Sequence, residues 1–324
     1  MIFKAARWLR EMGILGINLR NAEYIMRCNP RSAFPLVDDK MLTKRLAEKN
    51  QIPTPPLYHM IESHGDMAGF KRELEGQREF VVKPSRGTGG SGILLITDHT
   101  AKGLVMQSGE IISWVDLTYH ISDILSGIHS LEGLEDRALI EALVHPDLVF
   151  DAVTYRGVPD IRIIVYRGVP VMGMARLPTR VSDGKANLHR GAIGVGIDMG
   201  RGTTLNAVHH SGVVTHHPDT GNPVTGIQVP YWESMLLMAA KAVDMTGLGY
   251  LGVDLVIDRE RGPLLLELNA RPGLQIQIAN QAGLLRRLEL IDKTSPDILA
   301  TPEARVAWAL QTFIIRDVLA GKEK

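Results

Sequence analysis

The sequence predicts an α+β chain in which antiparallel hairpins alternate with separate amphipathic helices, and three stretches carry that prediction. Residues 250–272 read as two apolar strands joined by a charged turn. Residues 79–96 read as a strand, a glycine-rich loop and a second strand. Residues 160–177 read as another hairpin, Asp160–Tyr166 and Val171–Leu177, turning at Arg167–Pro170.

The first stretch also predicts a site. If Asp258 faces Pro263 across the turn, Asp254 lies opposite Glu267. Side chains alternate along a strand, so Asn269 shares the face of Glu267, while Leu266 and Leu268 point away. Like charges directly opposite destabilise a hairpin. A hard cation removes that penalty, and two carboxylates with an amide suit Mg²⁺. An exposed polar face without a metal is the plainer alternative.

Composition narrows the class. The chain has 324 residues, 45% hydrophobic and 22% charged, as in ordinary globular proteins. Lysine plus arginine balances aspartate plus glutamate at 36 each, so no global charge draws the chain to nucleic acid or membrane. The single cysteine, Cys28, has no internal disulfide partner, which predicts a reducing, cytoplasmic setting. No apolar run reaches the ~20 residues of a membrane span. The N-terminal stretch resembles an amphipathic helix more than a signal peptide.

In chain order, residues 3–12 and 19–27 predict helices broken at Asn29-Pro30-Arg31. Asp38 or Asp39 caps a helix running to Asn50. The prolines at 53, 55 and 56 force an extended segment. A helix over 66–76 precedes the strand Glu79–Lys83. The loop that follows carries Gly87, Gly89, Gly90 and Gly92, whose uncovered N–H groups suit phosphates. Its spacing matches the dinucleotide fingerprint, but a strand follows instead of a helix, so it reads as a phosphate flap. A flexible hairpin tip is the alternative. Lys83 ends the strand just before it.

Residues 110–125 mix apolar and polar positions around a helix. Arg137–Val144 reads as a buried strand containing Glu141, whose partner is expected to be an adenine amino group, a ribose or a local arginine. Asp160 and Arg162 share a face, and a salt bridge between them is the structural reading. Residues 178–202 read as a functional polar loop with Lys185, Asn187, His189 and Arg190. Residues 203–217 read as a solvated hairpin rather than a metal site, despite His209, His210, His216 and His217. Helices are predicted over 231–246 and 303–320, the first ended by Gly247 and Gly249.

The ordered set Asp39-Lys40, Val82-Lys83, glycine loop, Glu141, Asp160-Ile-Arg162, Asn187–Gly191, Gly252-Val-Asp254 and Glu267–Gly273 resembles an ATP-grasp carboxylate–amine ligase over roughly residues 37–290. RimK-like α-L-glutamate ligases are the nearest resemblance. The His-Pro-Asp-Thr-Gly stretch at 217–221 also resembles ATP-grasp proteins linked to sugar transfer. The resemblance implies an α+β ATP-grasp fold in which two subdomains grip ATP. It divides the chain into a helical region over 1–36, a small subdomain with the flap over 37–141, and a large subdomain with the metal site over 142–324.

It further implies that Lys83, assisted by Lys40, holds phosphates beneath Gly87, Gly89 and Gly90. Glu141, Ala142 and Leu143 would form the adenine hinge, with Asp160 near the ribose. Asp254, Glu267 and Asn269 would bind two Mg²⁺ ions, or Mn²⁺. Arg176, Asn187 and Arg190 would face the γ-phosphate and the acceptor carboxylate, and Arg271 would clamp the acyl oxyanion. The implied reaction passes through an acyl phosphate that an amine attacks. The partners implied are ATP and an amino-acid or peptide substrate, a protein tail among them, with a homo-oligomer left open. Two departures from RimK-like ligases stand out: the short N-terminal region, and Arg271 where serine is common. A phosphotransferase and a non-catalytic nucleotide-binding protein are the other readings.

Overall fold

The computed structural model describes residues 9, 11–74, 76–87, 89–130, 133–210 and 212–314. They form two compact units: one holds the chain up to Val37, Leu46–Pro53 and everything from Pro146, and the other holds Asp38–Arg45 and Thr54–His145.

The smaller unit is a six-stranded antiparallel sheet with the order β1-β6-β2-β3-β4-β5. Its strands are β1 (Leu57–Ile61), β2 (Phe80–Pro84), β3 (Leu94–Thr100), β4 (Gly103–Met106), β5 (Ile111–Ile112) and β6 (Ala138–Glu141). The helix Trp114–Leu125 begins at a reciprocal Ser113–Asp116 capping box. Its Leu117, Ile121 and Ile124 fall at helical spacing and are buried with Phe80, Val82, Ile96 and Ile140 of the sheet. The helix expected over 66–76 is shorter, a 3₁₀ turn His64–Ala68 followed by Phe70–Glu73. Asp39 caps the helix Lys40–Lys49, its Oδ1 accepting from the N–H groups of Met41 and Leu42 at 2.9 and 3.2 Å.

The larger unit is a seven-stranded antiparallel sheet with the order β11-β10-β9-β8-β7-β12-β13. Its strands are β7 (Asp160–Tyr166), β8 (Val169–Leu177), β9 (Ile193–Ile197), β10 (Thr204–His209), β11 (Gly212–Val214), β12 (Tyr250–Asp258) and β13 (Gly262–Asn269). Every residue of β9 and β12 is buried. The helix Trp232–Thr246 buries Met235, Leu236, Ala239 and Ala242, and Gly247 ends it at φ +69°.

β9 corrects the reading of 178–202 as loop throughout. Gly194 and Gly196 weaken its strand signal. They are needed there because a Cβ on Gly196 would lie 2.6 Å from the Ala279 carbonyl oxygen, and one on Gly194 2.8 Å from Leu188. The Ala279 backbone leaves no room for a side chain at Gly196, whereas the Leu188 side chain would have to move for one at Gly194.

The β12–β13 hairpin pairs Asp254 with Glu267, as the sequence predicts, but by a different route. Ile257, not Asp258, faces Pro263, and the register shifts between Asp254 and Leu255. A bulge on the β13 side adds one residue and restores the predicted pair.

The helical segment at 17–28 contains a π-helical stretch, Arg20–Ile25. It is built into the larger core: the Tyr24 ring meets Tyr166 edge-on at 5.3 Å and lies 6.1 Å from Tyr250. Most of the helix expected over 3–12 lies outside the described residues. The closing helix spans Pro302–Thr312, and its expected continuation to 320 passes outside them after Ile314. No helix among the described residues is long and apolar enough to cross a membrane.

Candidate active site

In the smaller unit, Glu141 is the centre of one cluster. It ends β6 with its side chain 1% exposed, and it pairs with Lys83 Nζ at 2.5 Å and Lys44 Nζ at 2.9 Å. Burial pushes its pKa up, but the two ammonium groups outweigh burial and hold it below the usual carboxylate value. Its protein partners are therefore lysines, in place of the local arginine among the expected partners. Lys44 was not read from the sequence as a site residue. It lies four residues after Lys40 on one helix, and a buried carboxylate calls for such a cation.

Lys40 donates to the Gly87 carbonyl at 2.6 Å, tying the helix Lys40–Lys49 to the glycine loop. In that loop Gly89 and Gly90 have φ of +61° and +76°, which other residues adopt only at a cost. Next to it, Asp39 accepts from Ser85 Oγ at 2.6 Å and pairs with Arg137. Beyond β6, the Ala142 N–H donates to the Pro56 carbonyl at 2.8 Å. Leu143 follows it, half-buried.

A depressed carboxyl pKa stabilises the fold above the unfolded value, about 4.3 for glutamate, and that stabilisation is lost as pH falls through the folded value. Glu141→Gln is therefore expected to remove part of the stability gained between about pH 3 and pH 5. Denaturant titrations of both proteins across that range would measure it. Parallel pH curves would show that Glu141 is not held ionised in the native state.

In the larger unit, three neighbouring strands build an ionic network. Arg162 on β7 clasps Asp254 on β12 through Nε–Oδ1 at 2.7 Å and Nη2–Oδ2 at 2.5 Å. Arg176 on β8 clasps Asp160 on β7 at 2.5 Å through both Nε and Nη2, and its Nη2 also reaches Asp254 Oδ2 at 2.8 Å. Asn269 Nδ2 donates to the same oxygen at 3.3 Å. The expected Asp160–Arg162 bridge does not form. Both partners are taken by residues directly across the sheet, in the pairs Asp160↔Arg176 and Arg162↔Asp254, which lie closer than positions two apart on one strand.

The two aspartates diverge in acidity. Burial pushes both up, but Arg162 and Arg176 together hold Asp254 down to about 2. Asp160 has Arg176 as its ion-pair partner and also feels the Asp254 charge, so burial wins and its pKa rises to about 6. The buried Arg176 is desolvated, yet the two carboxylates raise its pKa further.

Glu267 is half-buried opposite Asp254 and has no hydrogen bond or ion pair among the described residues. Its carboxylate, the Asn269 amide oxygen and the one lone pair of Asp254 Oδ1 that Arg162 leaves open are an oxygen donor set that fits a hard cation completed by water. Among the described residues no three His, Cys, Asp or Glu side chains gather as a metal cage. Arg162 and Arg176 supply counter-charge to Asp254.

The other sequence candidates lie apart from the network. Asn187 caps the short turn Leu188–Arg190, accepting from the His189 N–H at 2.9 Å. Arg190 is exposed and has no acidic partner among the described residues. Arg271 follows the end of β13 at Asn269, so strand alternation does not extend to it. Its guanidinium stacks on Phe34, 4.5 Å from the ring centroid, in place of an ion pair.

His217 corrects the reading of 203–217 as a solvated hairpin. It is 1% exposed, and its Nε2 lies 3.0 Å from the Pro178 carbonyl. Its Nδ1 accepts from the N–H groups of Asp219 and Thr220 at 3.2 and 3.3 Å. Asp219 in turn accepts from the Arg180 N–H at 2.7 Å. The His-Pro-Asp-Thr-Gly turn thus fastens the start of the loop that carries Asn187 and Arg190.

The two sheets and their clusters define an ATP-grasp protein. More particularly, the chain belongs to the sugar-transfer associated ATP-grasp family, whose model matches residues 19–293. Similar solved structures include the D-cycloserine synthetase DcsG, at 16% identity over 82% of this chain and 72% of that one, with a TM-score of 0.47. D-alanyl-alanine synthetase A from Vibrio cholerae is 13% identical over 88% of this chain and 67% of that one, also at 0.47. The ATP-grasp ligase PsnB in complex with its minimal precursor is 12% identical over 86% of this chain, with a TM-score of 0.41, and this chain spans 62% of that structure's length. No curated protein matches the sequence.

Proposed function

We propose that this chain is an ATP-dependent carboxylate–amine ligase that adds glutamate or a similar amino acid to an acceptor by forming an amide bond. The observation that carries this reading is the face of the larger sheet where Glu267 and Asn269 stand beside an Asp254 held ionised by two arginines. Phosphoryl transfer needs fixed charge and positioning more than covalent protein chemistry. Family membership points the same way.

The roles follow from what each group has left to offer. Lys83 and Lys40, with the loop N–H groups around Gly89 and Gly90, bind phosphates. Glu141 holds the Lys83 and Lys44 ammonium groups in place. With the Ala142 N–H committed to Pro56, the Leu143 N–H is the hinge donor for adenine. Asp160 is spent on Arg176 and acts as its positioning residue rather than as a direct ribose ligand. Asp254, Glu267 and Asn269 would hold Mg²⁺, two ions being expected, which supplies charge neutralisation for the polyphosphate. Arg190 and Arg271 have no acidic partner among the described residues, which leaves their guanidinium groups to meet an anionic substrate and the oxyanion of the acyl carbon.

In the reaction so assigned, the substrate carboxylate oxygen attacks the γ-phosphorus and ADP leaves. The amine nitrogen then attacks the acyl carbon, loses its proton, and phosphate departs. The test is ADP release with ATP, Mg²⁺ and a panel of amino acids and acidic peptides, run with hydroxylamine and followed by mass spectrometry. A hydroxamate of one acid is the expected product. A stable phosphorylated acceptor with no amine requirement would instead make the protein a phosphotransferase.

Lys83→Ala is expected to weaken nucleotide binding by about 1.5–3 kcal/mol, the value of a charge-assisted contact. Titration calorimetry with a non-hydrolysable ATP analogue would measure it. Unchanged affinity would remove Lys83 from the phosphate site.

A further inference from the structure

A cavity of about 550 Å³ opens at the Tyr166 end of β7, lined by Leu19, Glu23, Tyr24, Leu285, Glu289 and Asp292 among others. Asp160 and its arginine lie at the other end of that strand, roughly 20 Å away at the rise of an extended chain. None of the residues assigned to the ligase reaction lines the cavity.

Two features mark it as built to hold something. Tyr24 is 6% exposed, lines the cavity, and its hydroxyl has no hydrogen-bond partner among the described residues. Burial first, and then Asp292, Glu289 and Glu23, push its pKa up to about 12, so the phenol lies in the field of three carboxylates. Those carboxylates are not fully spent. Asp292 Oδ1 takes the Tyr166 hydroxyl at 2.8 Å and Arg167 Nη1 at 3.1 Å, which leaves Oδ2. Glu23 takes Arg27 at 3.3 Å on one oxygen. Glu289 has no hydrogen bond or ion pair among the described residues. Among the described residues that line the cavity, three carboxylates therefore meet two guanidinium groups, which leaves one negative charge over. The remaining wall is apolar, from Leu19, Leu285 and the Tyr24 and Tyr166 rings.

We propose that this cavity binds an organic cation, a primary ammonium on an aliphatic stem. The three N–H donors of an ammonium match Glu289, the Tyr24 hydroxyl oxygen and Asp292 Oδ2. The stem lies on the leucines, as buried lysine stems do, and the charge is satisfied within reach of the tyrosine rings. An anion would meet the surplus negative charge. A neutral polyol would leave the surplus negative charge without a counter-charge. This site is independent of the ligase reading, since neither its residues nor its ligand contacts enter that reaction.

Butylammonium chloride, titrated into the full chain without nucleotide and followed by calorimetry, tests it. One saturable site is expected, with sodium butyrate unable to compete. Glu289→Gln is expected to weaken binding about ten- to hundredfold, as loss of a charged hydrogen-bond partner does. Tyr24→Phe keeps the ring and is expected to weaken it about three- to tenfold. Glu289 is exposed, so its substitution leaves the fold intact, and equal melting temperatures without the amine check both variants. The proposal is overturned if butylammonium shows no saturable binding, if butyrate competes, or if the affinity is unchanged in both variants. The last result would place the amine elsewhere on the protein.

Discussion

Arg176→Met destabilises the protein by about 3–5 kcal/mol, the cost of leaving buried charges without their partner. Arg176 is the ion-pair partner of Asp160 and one of two for Asp254, and its side chain is only 11% exposed. Asp254 keeps Arg162 in the variant. Asp160 keeps only the more distant charge of Arg162 and no ion-pair partner, and its pKa, already raised to about 6, climbs further. A carboxyl whose folded pKa is raised binds its proton more tightly in the native state. It therefore contributes stability at low pH that is lost as pH rises through the folded value. The variant should consequently look least damaged near pH 5 and most damaged near pH 8. Urea denaturation at both values measures this. Adding Asp160→Asn to Arg176→Met should return part of the lost stability at pH 8, because it removes the orphaned charge. A double variant no more stable than the single one would show that lost packing, not charge, sets the cost.

The sheet register explains which parts of this site are legible in the sequence. The alternation of β12 and β13 identifies Asp254, Glu267 and Asn269 as sharing a face, and the ladder pairs the first two. The turn is misjudged by one residue, and a bulge that no local signal announces cancels the error. Lateral neighbours are a different matter. That Arg162 meets Asp254, and Arg176 meets Asp160, depends on β7 lying between β8 and β12. Period-two reasoning within one strand has no access to that order and favours the wrong bridge. Glu141 is recognisable as a buried carboxylate in need of a partner, yet Lys44 comes from a helix 97 residues earlier. β9 is hidden because its two glycines answer to the close approach of Ala279 and Leu188, a tertiary demand that looks like loop composition. The His-Pro-Asp-Thr-Gly turn points to the family whose model matches, and the ATP-grasp framework is the part of the resemblance to RimK-like ligases that this match supports.

Glu267→Gln separates catalysis from binding more sharply than any other single change at the site. Glu267 is the carboxylate on this face with no protein partner among the described residues, and it stands across from Asp254, whose charge the arginines already compensate. Replacing it with an isosteric amide leaves the hairpin register and the Arg162–Asp254–Arg176 network in place. What disappears is one negative charge of the proposed cation site. Interactions that grow as charge develops lower the barrier more than they tighten the ground state. The expected result is a fall in kcat of roughly 10²–10³-fold, the scale of lost electrostatic transition-state stabilisation. Nucleotide affinity should fall by less than about tenfold, because Lys83, Lys40 and the glycine loop lie outside the change. Melting temperature without ligands should stay at the parent value or rise, since a like-charge pair across the hairpin has been relieved. Single-turnover measurements of ADP formation, set beside direct nucleotide titration, distinguish the two effects. If kcat and affinity fall together by the same factor, Glu267 contributes uniform binding rather than transition-state stabilisation. If neither changes, the metal site proposed on β12 and β13 is wrong.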